Sequence, residues 1–338
     1  MSRSFSHRFS HRSLTARFDS ALAAARDAAG GQHYPQGALY LVPTPIGNLA
    51  DITLRALHVL QLADALACED TRHTQSLLRL YGIDKPAAAW LAVHQHNEAE
   101  AARSPPARLR DGQRVAFASD AGTPAISDPG ARLVAAVQQA GLRVVPLPGA
   151  SSVTAALSAA GSVGHPTGDD AALGADGFVF AGFIGSRERE REQAVRALAV
   201  EPRAVVLLEA PHRIAALAQA LAALGERPIT VAREISKQFE TVHTLPCAAL
   251  PGWLAEDAQR TRGEFALVLH ARPPAAAAGH DGVGVEAERV LALLLPELPL
   301  KGAVRVAAAI SGAPRNALYQ RALERKAAPG VATDDDTD

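Results

Sequence analysis

Cysteine is almost missing from this chain of 338 residues: there are 2, Cys68 and Cys247, far apart and in no Cys-x-x-Cys pair. That excludes a disulfide framework and a cysteine-based zinc site, and it fits a reducing, cytoplasmic setting. Long apolar runs are missing as well. Residues 291–300, LALLLPELPL, come nearest, but prolines interrupt them. They fall short of the roughly 18 apolar residues of a membrane span, so no membrane partner is expected. Lysine supplies few of the 34 bases while alanine is everywhere, a pattern of GC-rich codon usage. The arginines are therefore not read collectively as phosphate binders. Lys+Arg 34 against Asp+Glu 35 leaves a formal net charge of −1, so bulk charge announces no nucleic-acid partner. There is no Gly-x-Gly-x-x-Gly, no Gly-Lys-Ser/Thr loop, no nucleophile elbow, no His-Glu-x-x-His and no zinc-deaminase signature. His94-x-His96 with Glu98 is one pair without a further ligand cluster, so no metal is expected.

What is present is ordinary globular composition, 48% hydrophobic and 20% charged, over about twice a usual domain length. Two domains are the first expectation. The charge is uneven along the chain. Residues 1–36 carry five Arg against two Asp, and 301–326 carry six bases against Glu324. The N-terminus, MSRSFSHRFSHRSLTARFDS, lacks the apolar core of a signal peptide, and 1–36 reads as a disordered extension.

Beyond it, short apolar runs alternate with helix-length segments. Strands are predicted at 38–42, 64–68, 114–118, 143–147, 178–182, 204–208, 228–232 and 264–270, and amphipathic helices at 54–63, 74–82 and 131–141. This alternation predicts an α/β fold with at least one largely parallel sheet. The expected divisions are 37–160 for a first α/β domain and 161–272 for a second, mixed-sheet one. A small helical module is expected at 285–326 and a solvated acidic tail at 327–338. The stretch 162–177 is a turn-rich insertion, and 272–284 reads as a linker.

The unusual residues fall just after the predicted strands: PTPIGN (43–48), EDTRHT (69–74), SDAGTPAISDPG (119–130), PGASS (148–152), EAPHR (209–213) and REISK (233–237). In open α/β sheets, ligands bind outside the carboxyl ends of strands. Each segment also has a plainer reading. Asp51 and Asp128 suit helix N-caps, EDTRHT an internally paired surface turn, and RERERE (187–192) a solvated helix start with i,i+3 pairing. In EAPHR, His212 or the Glu209 carboxylate is placed to deprotonate a hydroxyl and Arg213 to hold a phosphate, though a lone strand-end histidine is more often simply solvated.

Taken in order, PTPIGNL, EDTRHT, SDAGTPAISDPG, PLPGASS, EAPHR, REISKQFE (233–240) and GEFALV (263–268) resemble the tetrapyrrole-methylase-fold methyltransferases. The similarity is strongest to their bacterial 16S rRNA 2′-O-ribose methyltransferases. It covers about residues 38–270 and extends into 299–324. The resemblance implies a two-domain α/β enzyme, a homodimer, with S-adenosylmethionine in the cleft between domains. The substrate it implies is a cytidine ribose, cytidine 1402 of the decoding centre, in 16S rRNA of the small ribosomal subunit. It places cofactor contacts on Pro45, on Asp120, Ala121, Gly122, Thr123 and Ile126, on Ser151 and Ser152, and on Glu209 and Ala210. Phe183, Ile235 and Ser236 complete the implied pocket. Glu209 or His212 is the candidate base, and Arg213 or Arg72 the candidate phosphate contact. Two departures stand out: GFIG followed by SRERERE where the family reads GFLP and basic residues, and the 162–177 insertion. In the C-terminal module, residues 301–310 and 314–326 read as two helices around a short turn. Arg315, Arg321 and Arg325 are RNA-binding candidates there, against a reading as a docking element. The alternatives to an rRNA methyltransferase are a same-fold methylase of a tetrapyrrole or other small molecule, and a non-catalytic RNA-binding assembly factor.

Overall fold

The computed structural model describes residues 11–93, 104–126, 130–161, 177–272 and 285–327. His94, His96, Glu98, Asp128, residues 162–176, 273–284 and the tail from 328 lie outside them. The chain divides into two compact units, Met1–Ala271 and Arg272–Asp338.

The first unit opens with helix α1 (His11–Ala29), where a disordered extension was expected. Its stripe of Phe18, Ala21/Leu22 and Ala25 recurs at helical spacing and joins the core beside the next helix, and Ala29, one turn on, is buried. Ala25 is buried, and the Phe18 ring meets Tyr81 edge-on at 5.0 Å between centroids. Burial of that stripe supplies what an Arg- and Ser-rich composition conceals.

Five strands follow: β1 (Ala38–Val42), β2 (Ala65–Cys68), β3 (Trp90–Ala92), β4 (Val115–Ala118) and β5 (Arg143–Pro146). They form a parallel sheet in the order β3-β2-β4-β1-β5. β2 and β4 are buried at every position, as strands covered on both faces must be. The connecting helices are α2 (Leu54–Leu62), α3 (Thr71–Leu80), α4 (Ser104–Arg110), α5 (Ala131–Gln139) and α6 (Ser152–Ala160). Thr53, not Asp51, caps α2: its hydroxyl accepts from the Ala56 amide at 3.0 Å. Asp70 of EDTRHT caps α3, accepting from Arg72 N at 2.8 Å and His73 N at 3.3 Å.

The second sheet runs β6 (Phe178–Phe183), β7 (Ala204–Glu209), β8 (Pro228–Arg233), β9 (Thr241–Pro246) and β10 (Phe265–Leu269), in the order β6-β7-β10-β8-β9. β6 and β7 are parallel and the other neighbours antiparallel. One face packs on α7 (Glu188–Val200), α8 (Ile214–Leu221) and α9 (Leu250–Ala255). The other receives α6, whose Val153 and Ala156 meet Val206, Ala232, Ala266 and Val268. The helix that leaves the first sheet thus builds the core of the second. RERERE begins α7 as a solvated start, with an Arg187–Glu190 pair at 3.5 Å. Arg227 shows why arginine count is a poor guide to partners here: it donates to the carbonyls of His270, Leu198 and Arg203 at 2.7–3.0 Å and so ties strands to a helix end.

The second unit holds α10 (Val285–Leu294), α11 (Leu300–Ser311) and α12 (Arg315–Ala327). Ala287, Leu291, Ala303, Val304, Ala307, Leu318 and Ala322 form its own core. Gly312, at φ 70°, makes the left-handed turn between α11 and α12 that a side chain would resist.

Both cysteines are buried, and burial pushes each thiol up to about 11. Since the thiolate is the reactive form, iodoacetamide near pH 8 should leave the native protein unlabelled while the unfolded chain takes up a label at both Cys68 and Cys247. Mass spectrometry before and after denaturation checks this.

Candidate functional site

Three adjacent strands, β4, β1 and β5, end at one edge of the parallel sheet, and their loops are sewn together. Thr44 and Gly122 exchange both backbone hydrogen bonds at 3.0 Å. The Ser119 hydroxyl donates to Gly122 O at 2.7 Å, the Thr44 hydroxyl to Ser119 O at 3.0 Å, and the Thr123 hydroxyl to Ala150 O at 3.0 Å. A Cβ on Gly149 would lie 2.5 Å from Pro43 Cβ, so glycine there lets the third loop close onto the first.

Opposite these loops stands one edge of the second sheet. β6, β7 and β8 end at it, and β10, running antiparallel, begins at it, with Phe265 opposite both Glu209 and Arg233. Between the two edges is a cleft of about 370 Å³. One wall is Ile46, the segment 121–123, Ile126 and residues 151–153. The other is Phe183, residues 208–211, Ala232, Ile235 and residues 264–266. Small side chains from the first wall face larger apolar ones, Phe183, Leu208, Ile235 and Phe265, from the second.

The Glu209 side chain is fully buried at 0% exposure. Its Oε1 accepts from the Ala210 amide at 2.9 Å and from Arg213 Nε at 3.1 Å. Its Oε2 is buried without a hydrogen-bond partner among the described residues. A buried carboxylate oxygen left bare is costly, so a ligand donor would be strongly favoured there.

The rim is strained. Ala125, Glu234 and Ser236 hold φ of 63°, 53° and 69°, a region non-glycine residues rarely occupy. Beside Glu234 and Ser236 stands Lys237, whose Nζ reaches Glu234 at 2.8 Å and Glu264 at 2.9 Å. Burial alone would raise the Glu234 carboxyl, but the Lys237 ammonium and the Glu264 amide outweigh it and hold it below its ordinary range. Ser236 hydrogen-bonds Asp51, and the Lys237 stem lies against Gly47, so this loop also touches the loops of the first sheet.

Residues 38–251 match the profile of the Tetrapyrrole (Corrin/Porphyrin) Methylases, and residues 281–326 that of the RsmI C-terminal HTH domain. The chain is 45% identical over 293 residues to the ribosomal RNA small subunit methyltransferase I of Escherichia coli O157:H7, covering 86% of this chain and 96% of that one. It is 45% identical over 295 residues to the enzyme of the same name from Pseudomonas aeruginosa, covering 86% and 98%. The chain belongs to the ribosomal RNA small subunit methyltransferase I family. The crystal structure of a diphthine synthase shares the fold at a TM-score of 0.51 and 15% identity, over 69% of this chain and 90% of that one.

For this methyltransferase, the cleft brings together ten of the residues singled out from sequence: Ala121, Gly122, Thr123, Ile126, Ser151, Ser152, Phe183, Glu209, Ala210 and Ile235. Pro45, Asp120 and Ser236 stand next to lining residues but do not line it themselves. Asp120 instead accepts a long bond from the Asp70 amide at 3.4 Å, and Ser236 faces Asp51. His212 and Arg72 are exposed and lie outside the lining.

Arg213, expected at a substrate phosphate, is engaged within the protein, where Glu209 and the Ile184 carbonyl hold its guanidinium. In the second unit, Arg321 is engaged by Glu288 at 3.2 Å and Glu324 at 3.1 Å, while Arg315 and Arg325 are exposed. Ile46, Val153, Leu208, Pro211, Ala232, Glu264, Phe265 and Ala266 also line the cleft and were not named from sequence, the last three because a site at strand ends was sought only at carboxyl ends. The signal was GEFALV itself, if β10 is taken as antiparallel.

Arg213→Ala would strand a fully buried carboxylate, at a cost of about 3 kcal/mol of stability. Chemical denaturation should register that loss, and ligand affinity at the cleft should fall together with methyl transfer. Loss of transfer with unchanged stability and affinity would return Arg213 to the substrate.

Proposed function

We propose that this methyltransferase uses S-adenosylmethionine to methylate the 2′-hydroxyl of a cytidine ribose, cytidine 1402, in 16S rRNA. The observation that carries the cofactor reading is the buried Oε2 of Glu209, without a partner among the described residues, in a cleft lined mostly by small and apolar side chains. A ligand rich in amino and hydroxyl donors satisfies that oxygen, and S-adenosylmethionine is one. Gly122, at φ 83°, adds a cradle: a Cβ there would sit 3.1 Å from Ile46 Cγ2. Bound in the cleft, the cofactor supplies a methyl group already activated as a sulfonium.

The chain's part is then positioning. A ribose hydroxyl is a poor nucleophile at neutral pH, so holding it in line must contribute much of the rate. A base adds roughly 10²–10⁴-fold. With Glu209 committed to Arg213, His212 is the better candidate for that base, since it is exposed just beyond the Glu209–Pro211 wall. Arg72, exposed on the first turn of α3, is the remaining phosphate candidate of the pair. A homodimer belongs to the same reading. The edge strand β9 leaves Val242 exposed and Phe239 lies 69% exposed just before it, apolar surface that an interface would cover.

The direct test is methyl transfer to small subunits from a strain lacking this enzyme, with ribose methylation mapped on the rRNA. Methylation at cytidine 1402 supports the reading, and methylation of a base or of another nucleotide overturns it. Gly122→Val forces a β-branched residue to positive φ, a strain of ~1–3 kcal/mol that should weaken cofactor binding at least tenfold in calorimetry while the fold persists. Unchanged affinity would remove the 119–126 loop from the site.

The helical unit is read as an RNA-holding element through Arg315 and Arg325. Charge reversal at both should weaken subunit binding and flatten its salt dependence, with cofactor affinity intact. Wild-type binding by that variant would leave the unit a docking element.

A further inference from the structure

A second hollow, of about 570 Å³, lies at the amino end of the parallel sheet, away from the cleft. Gln32, His33 and Tyr34 form one side, in the segment between α1 and β1. His58 and Leu62 on α2 and Arg114 at the entry to β4 form the other. The matched methylase profile begins at residue 38, so the first side lies outside it.

The hollow is built to be polar and positive. Arg114 Nε donates to the Tyr34 carbonyl at 3.2 Å, and its two terminal nitrogens have no protein partner among the described residues. That leaves a fixed guanidinium with paired donors to spare. The His58 ring lies 4.9 Å from the Tyr34 ring, and its Nδ1 is buried without a hydrogen-bond partner among the described residues. Arg55 sits one helical turn before His58 on the same stripe of α2, its Nε likewise buried and unpaired among them. Arg26, near the end of α1, adds its field: burial and this cation both hold the His58 imidazole below its ordinary pKa. No carboxylate is among the lining residues, and neither Arg55 nor Arg26 is; the nearby acid, Asp64, accepts from the Arg114 backbone amide at 2.7 Å. The α1 carbonyl end, which would repel an anion, is covered by the Tyr34 hydroxyl donating to Ala29 O at 3.1 Å.

We propose that this hollow binds a phosphate group, presented either by an RNA backbone or by a free phosphate compound. A tetrahedral anion takes donors from several directions, and a guanidinium fork, two imidazoles and the Gln32 amide offer them. The assignment is independent of the methyl-transfer reading.

The test follows the His33 and His58 ring protons of the full chain by NMR, with His33→Gln and His58→Gln assigning the signals. Inorganic phosphate and, separately, hexauridylate without terminal phosphates are titrated in. Saturable shifts of both rings are expected, weakened at least tenfold in an Arg114→Gln/His33→Gln variant whose thermal melt stays cooperative. If Arg114→Gln does not fold, His33→Gln, at an exposed residue, carries the comparison alone. Response to hexauridylate alone assigns the site to RNA backbone, and response to inorganic phosphate alone to a small phosphate compound. No saturable shift with either probe up to tens of millimolar, or wild-type affinity in the variants, overturns the proposal.

Discussion

The two backbone hydrogen bonds exchanged by Thr44 and Gly122 are the constraint on which the cleft depends. Loops leaving neighbouring parallel strands have no ladder to join, so their amides and carbonyls must find partners or water. Here the loops after β1 and β4 pair with each other, and Ser119, Thr44 and Thr123 close the remaining gaps with hydroxyls. The result is a rigid floor made of backbone. It needs glycine at 122 for its positive φ and at 149 for its contact with Pro43. A small-residue floor of this kind admits a ligand to the main chain without a glycine fingerprint or a phosphate loop.

The opposite wall solves a different problem. β7 and β10 are almost wholly buried, and a carboxylate at the end of such a strand is tolerated only if it is paired. Arg213, four residues on, does this from the start of α8 and is itself anchored on Ile184 beside β6. The pair therefore fixes three things together: the end of β7, the approach of the β6 loop, and the seat of the Glu209 carboxylate, whose Oε2 has no partner among the described residues. Arg213 is thus tied to the Glu209 carboxylate and to the Ile184 carbonyl, and it positions that carboxylate.

Much of this was legible in the sequence. The expected strands all formed, because Val, Leu and Ala runs bounded by Gly, Pro and Asp leave little ambiguity in an α/β chain. Ten cleft residues were legible through the family resemblance, which placed cofactor contacts on them; nine of these lie in the segments that follow the strands, and Phe183 does not. What escaped has identifiable causes. β3 is only three residues long, and β9 is an edge strand with exposed Val242, His243 and Thr244, so neither shows an apolar run. Asp51 looked like a cap because the chain makes a 3-10 turn, Leu49–Asp51, before α2 begins, which moves the cap to Thr53. Strand direction is the deepest gap: hydrophobic pattern does not say that β10 runs backwards, and that reversal brings Phe265 to the site.

Alanine explains the other misreading. A stripe such as Phe18, Ala21 and Ala25 carries little hydrophobic contrast, yet alanine is the strongest helix former and allows close approach of two helices. The same device recurs in the C-terminal unit, where Ala287, Ala303, Ala307 and Ala322 fill the core around Leu291 and Leu318. In both places arginines sit on the same helices, so composition alone suggests a solvated basic segment. Packing sorts them. Arg321 is turned into an intra-unit ion pair by Glu288 and Glu324, whereas Arg315 and Arg325 stay exposed. In a chain whose codon usage favours arginine, the charge that remains after such pairing is what can recognise a partner, and only a structure can subtract the rest.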